Sequence, residues 1–110
     1  MQRRLSQRAR TDFRVLTRDG SVISDCRGLD VSTTGILLDR GHVIAERDQK
    51  LFLDLEIRLP ERHAPLRALA RPIWSFGTQQ AFKFVRISDV DRLNLAEHLD
   101  LSRMRGRAPN

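Results

Sequence analysis

Residues 29–38 read Leu-Asp-Val-Ser-Thr-Thr-Gly-Ile-Leu-Leu, and three of them could hold a ligand. Asp30 and Ser32 stand two apart, so in extended chain a carboxylate and a hydroxyl leave the backbone on the same side. Gly35 permits a positive φ or the close approach of another backbone. The pattern is strand, polar bend, strand, which is the composition of a binding lip. A hairpin corner in which Asp30 and Ser32 satisfy turn amides is the simpler alternative. A second set of groups lies near the start, where Arg4-Leu-Ser-Gln-Arg8 separates two guanidinium forks by three residues. Residues 1–11 show neither helical nor strand periodicity, and a flexible arginine-rich arm is expected there. Such an arm could fold over a phosphate-bearing ligand, or serve only as a solvated basic tail.

The chain carrying these groups has 110 residues, which suits one domain with one core. Its net charge of +6 arises from 20 basic and 14 acidic side chains, and all but Lys50 and Lys83 of the basic ones are arginine. An anionic partner is implied, because arginine grips phosphate and guanine edges with a planar fork. The surplus is concentrated at Arg3, Arg4, Arg8, Arg10, Arg14 and Arg18, and again at Arg103, Arg105 and Arg107. No apolar run approaches the ~18 residues of a membrane span, and Met-Gln-Arg-Arg-Leu-Ser lacks the apolar stretch of a leader. A cytoplasmic location without membrane insertion is the expectation. The single cysteine, Cys26, allows no internal disulfide. His42, His63 and His98 have no metal-ligand spacing and are expected at the surface, with no metal bound. Ser32 has no Gly-x-Ser-x-Gly setting, no paired carboxylates mark a cleft, and no Walker loop is present. The chain therefore reads as a binding module and not as an enzyme.

The elements that must position these residues follow from periodicity. Residues 12–18 favour a strand, Asp19-Gly20 signals a hairpin, and a return strand is expected over 21–31. That pairing places the end of the second strand, with Asp30 and Ser32, beside the exit of the arm. Ile36, Leu37 and Leu38 suggest a short buried strand. Leu51, Leu53, Leu55, Ile57 and Leu59 alternate with mostly polar residues, the period of a half-buried strand over 50–59 in which Phe52 alone breaks the polar side. A fifth strand runs from Leu66 to Trp74, where Pro72 demands an edge or a bulge. The sixth spans residues 81–87. Ser88 with Asp91 resembles a capping box, and Val90, Leu93, Ala96 and Leu99 could line one face of the helix that follows. Six short strands in hairpin order and one helix predict a mostly β fold, a six-stranded antiparallel barrel over 12–102, with a disordered tail over 103–110. An open two-layer sheet is the alternative.

In their order and spacing, Arg4-x-x-x-Arg8, Asp30-x-Ser32-x-x-Gly35, the alternating fourth strand and Ser88-Asp-x-Asp-Arg-Leu before a closing helix resemble a PilZ domain. The resemblance implies a split barrel that binds the bacterial second messenger cyclic di-GMP and changes shape or partner when loaded. It places the arginine pair of the family on Arg4 and Arg8, and the acid, hydroxyl and glycine on Asp30, Ser32 and Gly35. In similar domains an arginine at the position of Arg3 accompanies two stacked ligand molecules. Trp74 falls where some relatives set a tryptophan against the ligand, although a core tryptophan is an equal reading. Gln79-Gln80-Ala81 departs from the glycine many members carry there. Output would pass to a separate effector protein. No cofactor beyond the ligand is expected.

A basic barrel for single-stranded nucleic acid is the principal rival. Stacking platforms would have to come from Phe13, Phe52, Phe76, Phe82, Phe84 and Trp74, most of which occupy alternating positions expected to be buried. An adaptor with a vestigial ligand motif is the third reading.

Overall fold

The computed structural model describes residues 13–45, 50–60 and 62–107, with side chains as far as 101. Alternating sequence becomes six strands: β1 (Phe13–Asp19), β2 (Val22–Val31), β3 (Gly35–Asp39), β4 (Leu53–Arg58), β5 (Leu66–Phe76) and β6 (Gln79–Ile87), followed by α1 (Asp89–Arg107). Every pairing is antiparallel, and the order β1-β2-β3-β6-β5-β4 closes on itself. The barrel is the expected one, and the open two-layer sheet is excluded. Closure leaves each strand two neighbours over part of its length, which removes the edges of an open sheet.

The tight turns have a specific chemistry. Asp19 pairs with Val22, so Gly20 and Ser21 form the loop, one residue later than the Asp19-Gly20 signal suggests. Only Gly20 of the two has positive φ, at 63°. Glycine at the first loop position is the type II′ arrangement, whose twist suits a hairpin. Gly77, with φ of 62°, plays the same part between Phe76 and Gln79.

Inward residues follow the period of two along β1 (Phe13, Val15, Thr17) and β4 (Leu53, Leu55, Ile57). Leu38, Phe82, Leu66 and Leu95 complete the densest part of the core, each at 2% exposure or less. The fourth strand begins later than its alternation suggests: Leu51 is exposed, and Phe52 is half exposed. Leu37 also departs from the buried β3 expectation, because it points outward between buried Ile36 and Leu38.

Three strands change face partway; in β6 the register slips opposite Leu69 and Ala70, leaving Val85 as an extra residue. In β2 the register slips between Gly28 and Asp30, leaving Leu29 as an extra residue. In β5 it slips between Pro72 and Trp74, leaving Ile73 extra. Pro72 is thus at a bulge, and beyond Ala70 its strand has lost β4 and pairs with β6 alone. The missing amide of proline is harmless on such an open side.

The helix starts as expected, with the Ser88 hydroxyl accepting the Asp91 amide at 3.0 Å. Asp91 does not complete a capping box. Its carboxylate instead accepts the Arg67 amide of β5 at 3.2 Å, tying the first helical turn to the barrel. The helix buries Leu95, His98 and Leu99, so of the expected apolar face Leu99 is in the core, Ala96 is half-buried, and Val90 and Leu93 are exposed. His98 is buried at 3%, contrary to the surface expectation, while His42 and His63 are exposed. Helical backbone continues to Arg107, past Arg103, where the chain was expected to fray.

Cys26 and Gly28 face inward on β2. Burial pushes the Cys26 thiol up, outweighing the opposite pull of Arg40 and Thr17. A native state that keeps this proton after the unfolded chain has lost it grows less stable as pH rises past the ordinary thiol range of about 8.5. Urea unfolding should show that alkaline decline, and Cys26→Val should flatten it. A Cβ on Gly28 would lie 2.2 Å from the ring of buried Phe13, its partner on β1. Gly28→Ala should cost about 1–3 kcal/mol in the same measurement, by displacing that ring.

Candidate functional site

The side chains of directly opposed residues in an antiparallel sheet share a face. Asp30 opposes Leu37, Leu37 opposes Ala81, and Ala81 opposes Trp74. A single row therefore crosses β2, β3, β6 and β5 on the outside of the barrel. Its ends lie three strand spacings apart, ~14 Å. Ala81, having only a methyl group, leaves a depression between them. That hollow measures about 270 Å³ and is lined by Asp30, Ser32, Gly35, Leu37, Trp74 and Ala81, among others.

The bulges in β2 and β5 put the ends of this row in place. Cys26 and Gly28 point inward, so unbroken alternation would send Asp30 into the core; the extra Leu29 turns it out and brings Val31 in. Leu66, Ala68 and Ala70 point inward likewise, and Trp74 would follow them without Ile73. Trp74 is instead 48% exposed, which overturns its reading as a core residue. A single inserted residue reverses every side chain beyond it.

Ser32 organises the bend between β2 and β3. Its hydroxyl accepts the amides of Thr34 and Gly35, each at 3.2 Å, while its own amide donates to the Gly35 carbonyl at 2.9 Å. The simpler alternative for this residue, satisfaction of turn amides, describes its contacts. Hydroxyl contacts of 3.2 to 3.4 Å are long, so they could yield to a better-placed ligand atom. Gly35 is needed for close approach and not for a left-handed φ: a Cβ there would lie 2.4 Å from the Phe82 carbonyl oxygen of β6. The Thr34 carbonyl accepts the Phe84 amide at 2.8 Å, pinning the bend to β6. From the other side, the Arg92 guanidinium donates to the Thr33 carbonyl at 3.4 Å.

Arg3, Arg4 and Arg8 lie outside the described residues, as does the rest of 1–11. Covalent geometry still bounds where they can go. Phe13 opposes Gly28, two residues before Asp30 on the adjacent strand. Arg8 stands five residues upstream of Phe13, a reach of ~18 Å, and Arg4 stands nine upstream, a reach of ~32 Å. Both can attain the hollow.

The departure at Gln79-Gln80-Ala81 leaves Gln80 facing inward, where it accepts from Arg40 at 2.5 Å, and Ala81 forming the floor of the hollow. Of the aromatics, Phe13, Phe82 and Phe84 are buried, but Phe52, Trp74 and Phe76 are exposed, so the expectation that most are buried is met by only half. Ala81 was the floor residue that sequence reasoning passed over as a family departure. Its only signal was small size between larger neighbours on a strand.

The described residues form a closed six-stranded antiparallel barrel with a polar-and-aromatic hollow on its outer face. The chain belongs to the PilZ domain family, whose pattern matches residues 2–101. Members of that family generally serve as receptors for cyclic di-GMP and are typically non-enzymatic. The structure also resembles that of the Bacillus subtilis inhibitor of motility, MotI/DgrA, with a TM-score of 0.74 at 19% identity, covering 97% of this chain and 54% of that one. This chain thus spans about half the length of that protein. No curated protein matches it in sequence. Among the described residues, no helix is long and apolar enough to cross a membrane.

Replacement of the two bend residues should separate their roles by size. Ser32→Ala removes hydrogen bonds only and should cost about 1 kcal/mol, with faster amide exchange at Thr34 and Gly35. Gly35→Ala forces β3 and β6 apart and should cost more, about 2–3 kcal/mol by urea unfolding.

Proposed function

We propose that this protein is a non-enzymatic receptor for cyclic di-GMP, held between the arm and the Asp30–Trp74 row, that passes its loaded state to a separate effector protein. The observation that carries the reading is that row: an acid, a small floor residue and an exposed tryptophan share one outer face, and Phe13, where residues 1–12 join the barrel, opposes Gly28 two residues before the acid. Each group has a chemical match in the ligand. The Asp30 carboxylate accepts the N1 and N2 hydrogens of a guanine, a charge-assisted contact. Arg4 and Arg8 meet O6 and N7 with their forks and neutralise phosphate. The Trp74 ring offers a stacking surface for a base. Ser32 exchanges a long bend contact for a ligand oxygen, and Gly35 keeps the floor beside it low. Arg3, adjoining the pair, would favour two stacked ligand molecules over one.

Ordering of the arm supplies the signal in this reading. An arm that closes over the hollow also covers the nearby bend and first helical turn, where Arg92 meets Thr33. The surface a partner meets therefore changes with loading. MotI/DgrA is an inhibitor of motility, and control of a partner machine is a comparable role for this chain.

Calorimetric titration with cyclic di-GMP tests the reading, and its stoichiometry distinguishes one molecule from two. Arg8→Ala and Asp30→Ala should each weaken binding by about 1–3 kcal/mol. Amide exchange over residues 1–11 should slow on loading. Undiminished binding by both variants would remove the site, and tight, salt-sensitive binding of oligonucleotides in place of the dinucleotide would favour the rival barrel.

A further inference from the structure

One row of the barrel is electrostatically anomalous. Gly35 opposes Lys83 across β3 and β6, and Lys83 opposes Arg71 across β6 and β5. This row neighbours the one containing Leu37, Ala81 and Trp74, two residues along β6, ~7 Å away. Lys83 and Arg71 are both exposed and share the outer face with the hollow. Two cations directly opposite each other in a sheet repel and destabilise the pairing. Among the described residues, neither has a hydrogen bond or ion pair through its side chain to relieve that repulsion.

The barrel has one other row of directly opposed cations, Arg27, Arg14 and Arg58 across β2, β1 and β4, and there each has an acid. Arg14 pairs with Asp25, Arg27 with Asp39 at 3.6 Å, and Arg58 with Glu56 at 2.6 Å. Another hollow, about 680 Å³ over the β1, β4 and β5 face, has Glu56 and Asp54 among its arginines. Lys83 and Arg71 oppose each other without such an acid beside the proposed ligand site, where a third cation, Arg92, also stands.

We propose that Lys83 and Arg71 form a phosphodiester subsite of the hollow, in which an anionic ligand oxygen bridges the two cations and relieves their repulsion. The inference rests on the proposed function for the identity of the ligand, but the subsite itself is defined by its charge. Asp30 and Trp74 engage bases at the two ends of their row, and the Lys83–Arg71 row meets the charged backbone that joins them. The ligand-free protein carries the repulsion as a cost that binding removes.

That coupling gives the test an unusual sign. In Lys83→Gln, Arg71→Gln and the double variant, the ligand-free protein should melt at the wild-type temperature or higher in low salt. Each single variant should bind cyclic di-GMP about 3- to 30-fold more weakly, and the salt dependence of its affinity should become shallower, because a screened attraction has been removed. Inorganic pyrophosphate followed by amide NMR provides a second arm, with shifts centred on residues 71 and 83 that vanish in the double variant. Pyrophosphate shifts there without any binding of cyclic di-GMP would leave the subsite standing and remove the functional reading. Wild-type affinity and salt slope in the double variant, or no shift at either residue with either probe, would overturn the subsite.

Discussion

The side-chain period of a strand is two, and the outer row of this barrel depends on breaking it in β2 and again in β5. A six-stranded barrel of this size has room for one set of inward residues and must send every alternate side chain outward. Unbroken alternation in β2 would bury the Asp30 carboxylate beyond Cys26 and Gly28, and in β5 it would bury Trp74. Either burial would be costly, the first by removing a charge from water and the second by overfilling the lumen. Leu29 and Ile73, each unpaired in the ladder, reverse the faces and deliver both groups to one outer row. The core and the hollow are thus two consequences of the same register.

The bend between β2 and β3 is held by the residues that the family pattern assigns to the ligand. Ser32 ties the turn through its hydroxyl, and Gly35 admits the backbone of β6. Their presence has a sufficient structural cause in the ligand-free barrel, so a ligand role for either adds to that cause without replacing it. Asp30 and Trp74 differ in this respect. Their outward side chains make no part of the core, although the Leu29 bulge that turns Asp30 out also brings Val31 in. Bulges beside a binding surface commonly re-aim a side chain in this way.

Charge tells a similar story at longer range. The net charge of +6 is spread over a surface where six of the twelve described cationic side chains already meet an acid. Bulk basicity is consequently a poor guide to the anionic partner, because paired arginines contribute little field. The row formed by Gly35, Lys83 and Arg71 is informative because its two cations are left to each other. The first turns of α1, the start of β1 at Phe13 and the bend at Thr33 gather at the same end of the barrel.

Local chemistry was legible in the residues themselves. Alternation in β1 and β4, glycines at the hairpin turns and Ser88 at the helix start are short-range signals, each decided by neighbours within four residues, and the barrel follows from their order. The change of apolar parity from Cys26 to Val31 was also present, and Pro72 named a bulge without saying what it would re-aim. Tertiary structure alone decided the rest. Of the helix's apolar residues, Leu95 and Leu99 face the barrel and Val90 and Leu93 do not, a choice made where α1 docks, with the Arg67 amide on Asp91. Likewise, nothing local to Asp30, Ala81 or Trp74 relates one to another. Their common row exists because four strands close in one register, and register is a property of the whole sheet.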